Sequence, residues 1–313
     1  MRPAAAALDV REPMPDDWRH DLIERLLHAV NDAGAWGYRS DSTGAAEPTA
    51  LAALALTANN CASEHVSAAL GWLAGLQRED GAVPISSEAE APYWPTSFAL
   101  IAWLRCATQD NEIYGVQTNK ALAWLLEARG QKVPPDPNIH DHDTTLVGWS
   151  WVAGTHSWIE PTAQALLALR AAGQAQHART REGVALILDR ALPGGGWNYG
   201  NRRVLEHVLR PFPATTGVAL AALAGERREA RIDAAIDCLT EELQRVRAPL
   251  SLAWGLIGLR GWNAQPPKAP VLLGECAQRL IAQPANPLYD ALLLLAGAQR
   301  CPLIDTVEVR SDD

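Results

Sequence analysis

The sequence predicts an all-α protein in which six helical hairpins close into an (α/α)6 toroid over residues 16–300. Two observations support this prediction directly: six apolar segments begin at a proline, and six amphipathic segments alternate with them. The alternating patterns of β-strands are essentially missing, which argues against an α/β fold. Residues 1–15 and 301–313 are expected to be a flexible N-terminal tail and a C-terminal tail.

The six apolar segments are predicted to be the inner helices of the ring. Proline is favoured at the first helical position, where its missing N–H leaves no hydrogen bond unmade. A helix that is apolar on every side must be buried on every side. The segments are "EPTALAALAL", "WPTSFALIAWL", "EPTAQALLAL", "FPATTGVALAAL", "APLSLAWGLIGL" and "NPLYDALLLLA", with helix starts near residues 48, 95, 161, 213, 249 and 287.

The segments between them are predicted to be outer helices. In "DDWRHDLIERLLHAV", Trp18, Leu22 and Leu26 recur at helical spacing against a charged opposite face. The segments near 63–78, 116–129, 178–191, 231–246 and 270–283 show the same single apolar stripe. Inner helices that are apolar all round can be covered only if they form a closed ring inside the outer set.

Composition excludes several classes of function. The net charge of −9, without a basic cluster, argues against a nucleic-acid partner. No apolar run approaches the ~20 residues of a membrane span, and the first residues lack the apolar core of a secretory signal. Five cysteines at irregular spacing favour buried free thiols in a reducing compartment. A cytoplasmic protein without a transmembrane segment is therefore expected.

Long connections mark one end of the predicted ring. The outer-to-inner connections span about 31–46, 79–93, 130–159 and 192–211, whereas the connections at the other end are short. Long loops in a compact domain usually serve a function. Six of the 12 tryptophans lie in these loops or at their junctions with inner helices: Trp36, Trp94, Trp149, Trp151, Trp158 and Trp197.

Three motifs resemble the repeats of the terpene cyclase and protein prenyltransferase superfamily over roughly residues 16–300. They are "WLAGLQREDGAVP" from Trp72, "PGGGWNYGN" from Pro193, and the "PTA" helix starts. The resemblance implies a cavity for an isoprenoid or another hydrophobic substrate. Many cyclases of this superfamily pair two toroids, so it also suggests a second toroid subunit or a homodimer as partner.

Protonation-type cyclases of the superfamily carry a DxDD motif followed by Thr-Ala, whose middle Asp delivers a proton. Here "WIEPTA" stands at the equivalent helix start, so the resemblance puts Glu160 at the position of the proton donor, although the motif itself is missing. The prenyltransferase branch binds zinc through an Asp-x-Cys pair, which this sequence lacks. Neither a metal nor another cofactor is therefore expected.

The candidate catalytic residues are Glu160, ranked first, and then Asp143 and Asp141. A helix N-terminus favours the charged carboxylate, whereas burial against Trp158 raises the carboxyl pKa. Asp143 and Asp141 are near enough in sequence for one to hold a proton because two adjacent carboxylates resist double ionisation. The structural alternatives are a simple helix-start carboxylate for Glu160 and a solvated turn after "PPDPN" for the aspartates.

Other candidates would bind the substrate rather than react with it. Tryptophan faces stabilise cations and also stack on sugars. Three functions stay open: acid-initiated cyclisation or isomerisation of an isoprenoid or other hydrophobic substrate, a carbohydrate-active α-toroid enzyme, and a non-catalytic binding module. His140, His142 and Asp143 or His156 could alternatively ligate zinc or iron. The substrate-binding candidates beside the six tryptophans are Glu47, His142, Asn198, Tyr199 and Arg202.

Overall fold

The computed structural model describes residues 17–89, 91–107, 113–136, 141–204 and 207–305. These residues form twelve α-helices, and the only strands among them are the two-residue antiparallel pair β1 (Arg203–Val204) and β2 (His207–Val208). The outer helices are α1 (Asp17–Ala29), α3 (Ser63–Leu76), α5 (Gly115–Glu127), α7 (Ala178–Asp189), α9 (Ala230–Leu243) and α11 (Ala269–Ile281). The inner helices are α2 (Ala46–Ala58), α4 (Thr96–Cys106), α6 (Ile159–Ala171), α8 (Pro213–Leu223), α10 (Pro249–Arg260) and α12 (Pro287–Gly297).

The inner helices form a closed ring, which confirms the predicted toroid. Each inner helix packs against the next one in the chain, and α12 packs against α2. Every inner helix starts within two residues of its predicted position. The inner helices are buried along most of their length, as their all-round apolar sequences require. None of the helices in the described ranges is long and apolar enough to cross a membrane.

A repeated pair of hydrogen bonds ties the long connections to the inner helices. The backbone N–H of Trp36 donates to the Thr49 hydroxyl at 2.9 Å, and that hydroxyl donates to the carbonyl of Trp36 at 3.1 Å. The threonine belongs to the "PTA" helix start, so the motif has a structural explanation. The pairs Val83–Thr96, Trp149–Thr162 and Trp197–Thr216 repeat this arrangement.

The first and last hairpins are joined by a buried ion pair. Arg25 of α1 contacts Asp290 in the first turn of α12, with 3.3 Å between Arg25 Nε and Asp290 Oδ2. Arg25 also donates to the carbonyls of Ile281 and Gln283. Burial raises the pKa of Asp290 to about 6 although the Arg25 charge opposes it. The pair therefore helps to close the ring where its two chain ends meet.

Packing continues past the last helix. The side chains of Cys301 and Leu303 are buried against the core, and Asp305 accepts a hydrogen bond from the backbone of Cys301. The packed structure thus reaches residue 305, beyond the boundary at 300 that the sequence suggested. The predicted N-terminal tail, residues 1–15, and residues 306–313 lie outside the described residues.

The interior of the ring is filled near its axis. Phe98 of α4 and Trp254 of α10 are both buried, and their ring centroids lie 6.3 Å apart. On another side, α8 and α10 approach so closely that a Cβ on Gly217 would lie 2.3 Å from the carbonyl oxygen of Trp254. Space for a substrate must therefore be sought at the mouth of the ring, where the inner helices begin.

Candidate active site at the mouth of the ring

Two glutamates stand at this mouth in equivalent positions. Glu47 lies in the first turn of α2 and Glu160 in the first turn of α6, with α4 between the two helices. Both side chains are half-buried. The "EPTA" sequence is the same in both repeats, so each helix start directs its carboxyl group toward the same end of the ring.

Glu47 is held by a tyrosine from the first long connection. The Tyr38 hydroxyl donates to Glu47 Oε2 at 2.8 Å. Burial raises the pKa of Glu47 to about 7; the Tyr38 hydrogen bond opposes this shift, and the charge of Glu160 adds to it. Burial and the Glu47 charge in turn raise the pKa of Tyr38, so the tyrosine keeps its proton. Glu47 is thus poised to carry a proton close to neutral pH.

Glu160 is held by the neighbouring inner helix. The Thr215 hydroxyl of α8 donates to Glu160 Oε1 at 2.6 Å. Burial raises the pKa of Glu160, and the hydrogen bond from Thr215 opposes the shift. Since the charge of Glu160 raises the pKa of Glu47, the two carboxyl groups are electrostatically coupled. Glu160 was ranked first from the sequence, and the structure adds Glu47 as a second carboxyl group with a raised pKa.

Aromatic rings cluster at the start of α4. Trp94 precedes α4, the helix between α2 and α6, and its ring meets that of Trp151 edge-on at 5.0 Å. Trp94 also contacts Phe98, with centroids 6.4 Å apart. A continuous series of rings therefore runs from Trp151 at the rim to Trp254 inside the ring.

A cavity of about 450 Å³ opens between the second and third hairpins, and neither Glu47 nor Glu160 lines it. Pro161, the residue after Glu160, lies in its wall, and Asp80, Glu127 and Arg129 supply the charged groups. This aromatic cavity brings together three of the predicted tryptophans and adds two rings that the sequence analysis did not select. Its aromatic wall consists of Tyr93, Trp94, Trp124, Trp149 and Trp151.

Trp36 and Trp197 have a structural role instead. Both are completely buried, and their indole N–H groups donate at 2.7 Å to carbonyls of outer helices, of Leu26 and Ile187 respectively. No face of either ring is open to a substrate, so we leave both out of the site. Trp149 makes the same bond to Leu125 but also borders the aromatic cavity.

Asp143 is a turn residue, and its surroundings do not favour the protonated form suggested for it from the sequence. The backbone N–H and the hydroxyl of Thr145 donate to Asp143 Oδ1 at 2.8 and 2.6 Å. These hydrogen bonds lower the pKa of the exposed Asp143, so it is ionised at neutral pH. Asp141 pairs with Arg202, 3.4 Å from Nε, and lies 3.7 Å from His142 Nδ1. Neither carboxylate joins the two glutamates at the mouth.

The remaining candidates from the Gly-rich connection lie around the start of α6. The carbonyl of Tyr199 accepts the Ile159 N–H at 3.1 Å, and the exposed Tyr199 ring rests on Phe212. Asn198 is buried, with Oδ1 bound to the Gly200 N–H at 2.9 Å. Trp158 borders a second cavity. Of this group, Tyr199 has an exposed ring.

The described residues contain no group of three or more His, Cys, Asp or Glu side chains arranged to hold a metal ion. His142 lies beside Asp141, and His156 is exposed on the same connection. His140, the third histidine of the alternative metal site, lies outside the described residues. All five cysteines are free.

Known proteins share this architecture at low sequence identity. No family model and no curated protein matches the chain. An alpha-amylase from Clostridium perfringens superposes with a TM-score of 0.65 at 10% identity, covering 89% of this chain and 96% of its own. A GH76A alpha-1,6-mannanase from Salegentibacter gives 0.60 at 11% identity, covering 90% and 98%. A type II terpene cyclase from Scytonema, solved with geranylgeranyl dihydroxybenzoate, gives 0.55 at 15% identity, covering 87% and 79%.

These structural similarities show a shared fold only, because sequence identities of 10–15% do not show a shared activity. They include a terpene cyclase and two enzymes that act on carbohydrates, which are the two enzyme classes suggested by the sequence. The chain is an α/α toroid of the kind that terpene cyclases and these glycoside hydrolases share.

Proposed function

We propose that this protein is an enzyme that begins its reaction by protonating a hydrophobic, isoprenoid-like substrate from the Glu47–Glu160 pair. The observation that carries the proposal is the presence of two half-buried, hydrogen-bonded carboxyl groups at the same mouth, where the charge of Glu160 raises the pKa of Glu47. Two coupled carboxyl groups in such surroundings separate into one proton donor and one carboxylate. Protonation of an alkene or of an oxygen leaves a cation, which the nearby carboxylate and Trp94 would stabilise.

The aromatic cavity supports a hydrophobic substrate of limited length. Its volume of about 450 Å³ lies within the range of about 300–1,000 Å³ typical of small-molecule sites. Five of its fourteen lining residues are aromatic, and Pro161 in its wall directly follows Glu160 in the chain. Because Phe98 and Trp254 fill the axis, a long polyprene cannot extend through the ring. A short prenyl chain could lie in the aromatic cavity with its reactive end at the glutamates.

A carbohydrate-active function is the second candidate, and one observation favours it. Asp80, Glu127 and Arg129 stand beside the aromatic rings of the cavity, a mixture of stacking surfaces and polar groups that suits a sugar. A proton donor paired with a carboxylate is also the usual catalytic arrangement of glycosidases. The mannanase neighbour has been solved with alpha-1,6-mannotriose, which makes that trisaccharide a suitable probe.

The test uses the purified chain in D₂O with two probes, the short prenyl alcohol geraniol and alpha-1,6-mannotriose. Acid-initiated cyclisation places one deuterium on carbon, so the prenyl product gains one mass unit beyond exchangeable positions. Glycoside hydrolysis instead releases mannose without deuterium on carbon. We expect the prenyl probe to react, and we expect Glu47→Gln and Glu160→Gln each to lower turnover by about 10²–10⁴-fold.

The matched control is Glu64→Gln, which removes an exposed carboxylate from the first turn of the outer helix α3. It should keep wild-type turnover. Hydrolysis of mannotriose alone would establish the second candidate. Binding of either probe without turnover would show that the protein is a non-catalytic binding module. A cytoplasmic location and a partner toroid, as a second subunit or a second copy, stay predictions that cell fractionation and the mass in solution can test.

A further inference from the structure

We propose that a second cavity, next to the start of α6, binds a compact oxyanion, a phosphate or carboxylate group, through Arg190 and Thr144. The cavity has a volume of about 310 Å³ and lies between the connections that precede α6 and α8. We call it the oxyanion cavity. Its polar side chains include Thr144, His142, His156 and Arg190, and the Trp158 ring forms part of its wall.

Arg190 is the main reason to assign an anion. It closes the C-terminus of α7 and is 8% exposed, and its Nη1 donates to the Ser157 carbonyl at 2.6 Å. Its Nε is buried without a hydrogen-bond partner among the described residues. Within those residues, no carboxylate lies at ion-pair distance from the guanidinium. A buried cation with an unused donor destabilises the protein unless an anion accompanies it.

The electrostatic surroundings of Arg190 keep its guanidinium group charged. Burial lowers the pKa of Arg190 to about 10, while the charges of Asp189 and Asp143 oppose the shift. Arg190 is therefore still protonated at neutral pH. Asp189 accepts the backbone N–H of Asp143, and Asp143 accepts both donors of Thr145, so these carboxylates already have hydrogen-bond partners.

Thr144 supplies a second, independent observation. Its side chain is 7% exposed, it lines the oxyanion cavity, and its hydroxyl has no hydrogen-bond partner among the residues that the structure describes. Buried hydroxyl groups in proteins are nearly always hydrogen-bonded. Because Thr144 and Arg190 both line the cavity, an oxyanion there would accept from both once the Thr144 side chain rotates its buried hydroxyl toward the open space.

The backbone is shaped around the guanidinium. Gly200 has a φ of +148°, and a Cβ at this position would lie 3.1 Å from Arg190 Nη1. The Gly-rich connection can thus pass close to the arginine only with glycine here. Arginine offers donors and no acceptor, so this cavity selects an anion over a cation.

The test measures binding of inorganic phosphate to the full chain by calorimetry, with ionic strength held constant by NaCl. We expect saturable binding at one site. Arg190→Gln should weaken it at least about tenfold, and Thr144→Val should weaken it about three- to tenfold, in line with the loss of charged hydrogen bonds. Thr144→Val keeps the shape of the side chain, so it remains informative if the Arg190 variant unfolds.

The control variant is Arg231→Gln, which removes an exposed arginine that donates to the Leu188 carbonyl near the same end of α7 but does not line the cavity. It should bind phosphate as the wild type does. Unsaturable binding, or equal losses in Arg190→Gln and Arg231→Gln, would overturn the proposal.

Dodecyl phosphate and acetate then identify the source of the oxyanion, with acetate as the carboxylate probe. Tighter binding of dodecyl phosphate than of inorganic phosphate indicates the head group of an amphiphile. Equal binding of the two phosphates indicates a free ion. Glu47→Gln should not change phosphate binding, so this result is independent of the proposed reaction.

Discussion

Phe98 and Trp254 lie on opposite inner helices, yet their aromatic rings meet with centroids 6.3 Å apart. In a ring of six helices this contact spans the axis, so these two side chains fill the space where a long substrate would otherwise lie. The Glu47–Glu160 pair and the aromatic cavity stand at the mouth instead. Chemistry at the mouth rather than inside the ring is the main consequence of this packing.

Phe98→Ala should destabilise the protein by about 3–5 kcal/mol because it removes a fully buried ring and leaves a cavity. Urea unfolding measures the loss. Ile113→Ala, at a side chain that is 66% exposed, is the control and should change the stability by about 0.5 kcal/mol or less. A loss below about 1 kcal/mol for Phe98→Ala would show that the ring axis can collapse around the gap.

Thr162→Val should cost about 1–3 kcal/mol of stability because it strips the Trp149 backbone of a buried donor and a buried acceptor partner. Hydrogen exchange at the Trp149 amide should accelerate at the same time. Thr145→Val, which removes an exposed hydroxyl bonded to Asp143, serves as the comparison. If both variants were equally stable, the repeated threonine bonds would have no role in holding the long connections.

Gly217→Ala should separate α8 from α10, since the new Cβ would lie 2.3 Å from the Trp254 carbonyl oxygen. Forcing a methyl group into such a contact costs about 1–3 kcal/mol or more. Gly75→Ala in α3 is the matched control because nothing lies within 4 Å of a Cβ there. That control should stabilise the protein by about 0.5–1 kcal/mol. Equal thermal melting of the two variants would contradict the close packing of α8 on α10.

Glu47 should make the protein less stable as the pH rises. Its pKa is raised from 4.5 to about 7, so the folded protein holds the proton more tightly than the unfolded chain does. The stabilisation of the folded state by this proton is complete below pH 4.5 and is lost as the pH rises to about 7. We expect a loss of about 1–3 kcal/mol between pH 5 and pH 8, reduced by the partial exposure of the side chain.

Glu47→Gln should remove this part of the pH dependence. Asp290, whose pKa is raised to about 6, contributes in the same direction, so the wild type and the variant must be compared at both pH values. Urea unfolding at pH 5 and pH 8 gives the four free energies of unfolding. An identical pH dependence in both proteins would mean that Glu47 titrates normally and is a poor proton donor at neutral pH.

The proposed site was only partly predictable from the sequence. The "EPTA" motifs placed Glu160 and Glu47 at helix starts, because a helix start depends on residues a few positions apart. The sequence did not show that Tyr38 binds Glu47 or that Thr215 binds Glu160, and these contacts with burial set the proton affinities. Asp143 is an opposite case. The charge of neighbouring Asp141 was expected to raise its pKa, but hydrogen bonds from Thr145 in a local turn lower it.

The sequence by itself determined the order and character of the twelve helices, since apolar periodicity and proline positions act over one or two turns of chain. Only the tertiary structure decided which side chains face a cavity. Trp36 and Trp197 became buried anchors while Trp94 and Trp151 stayed at the mouth, although all four lie in similar connections. Arg25 and Asp290, 265 residues apart, became partners only when the ring closed. Burial and charge depend on neighbours that are distant along the chain, and those neighbours become known only when the fold is complete.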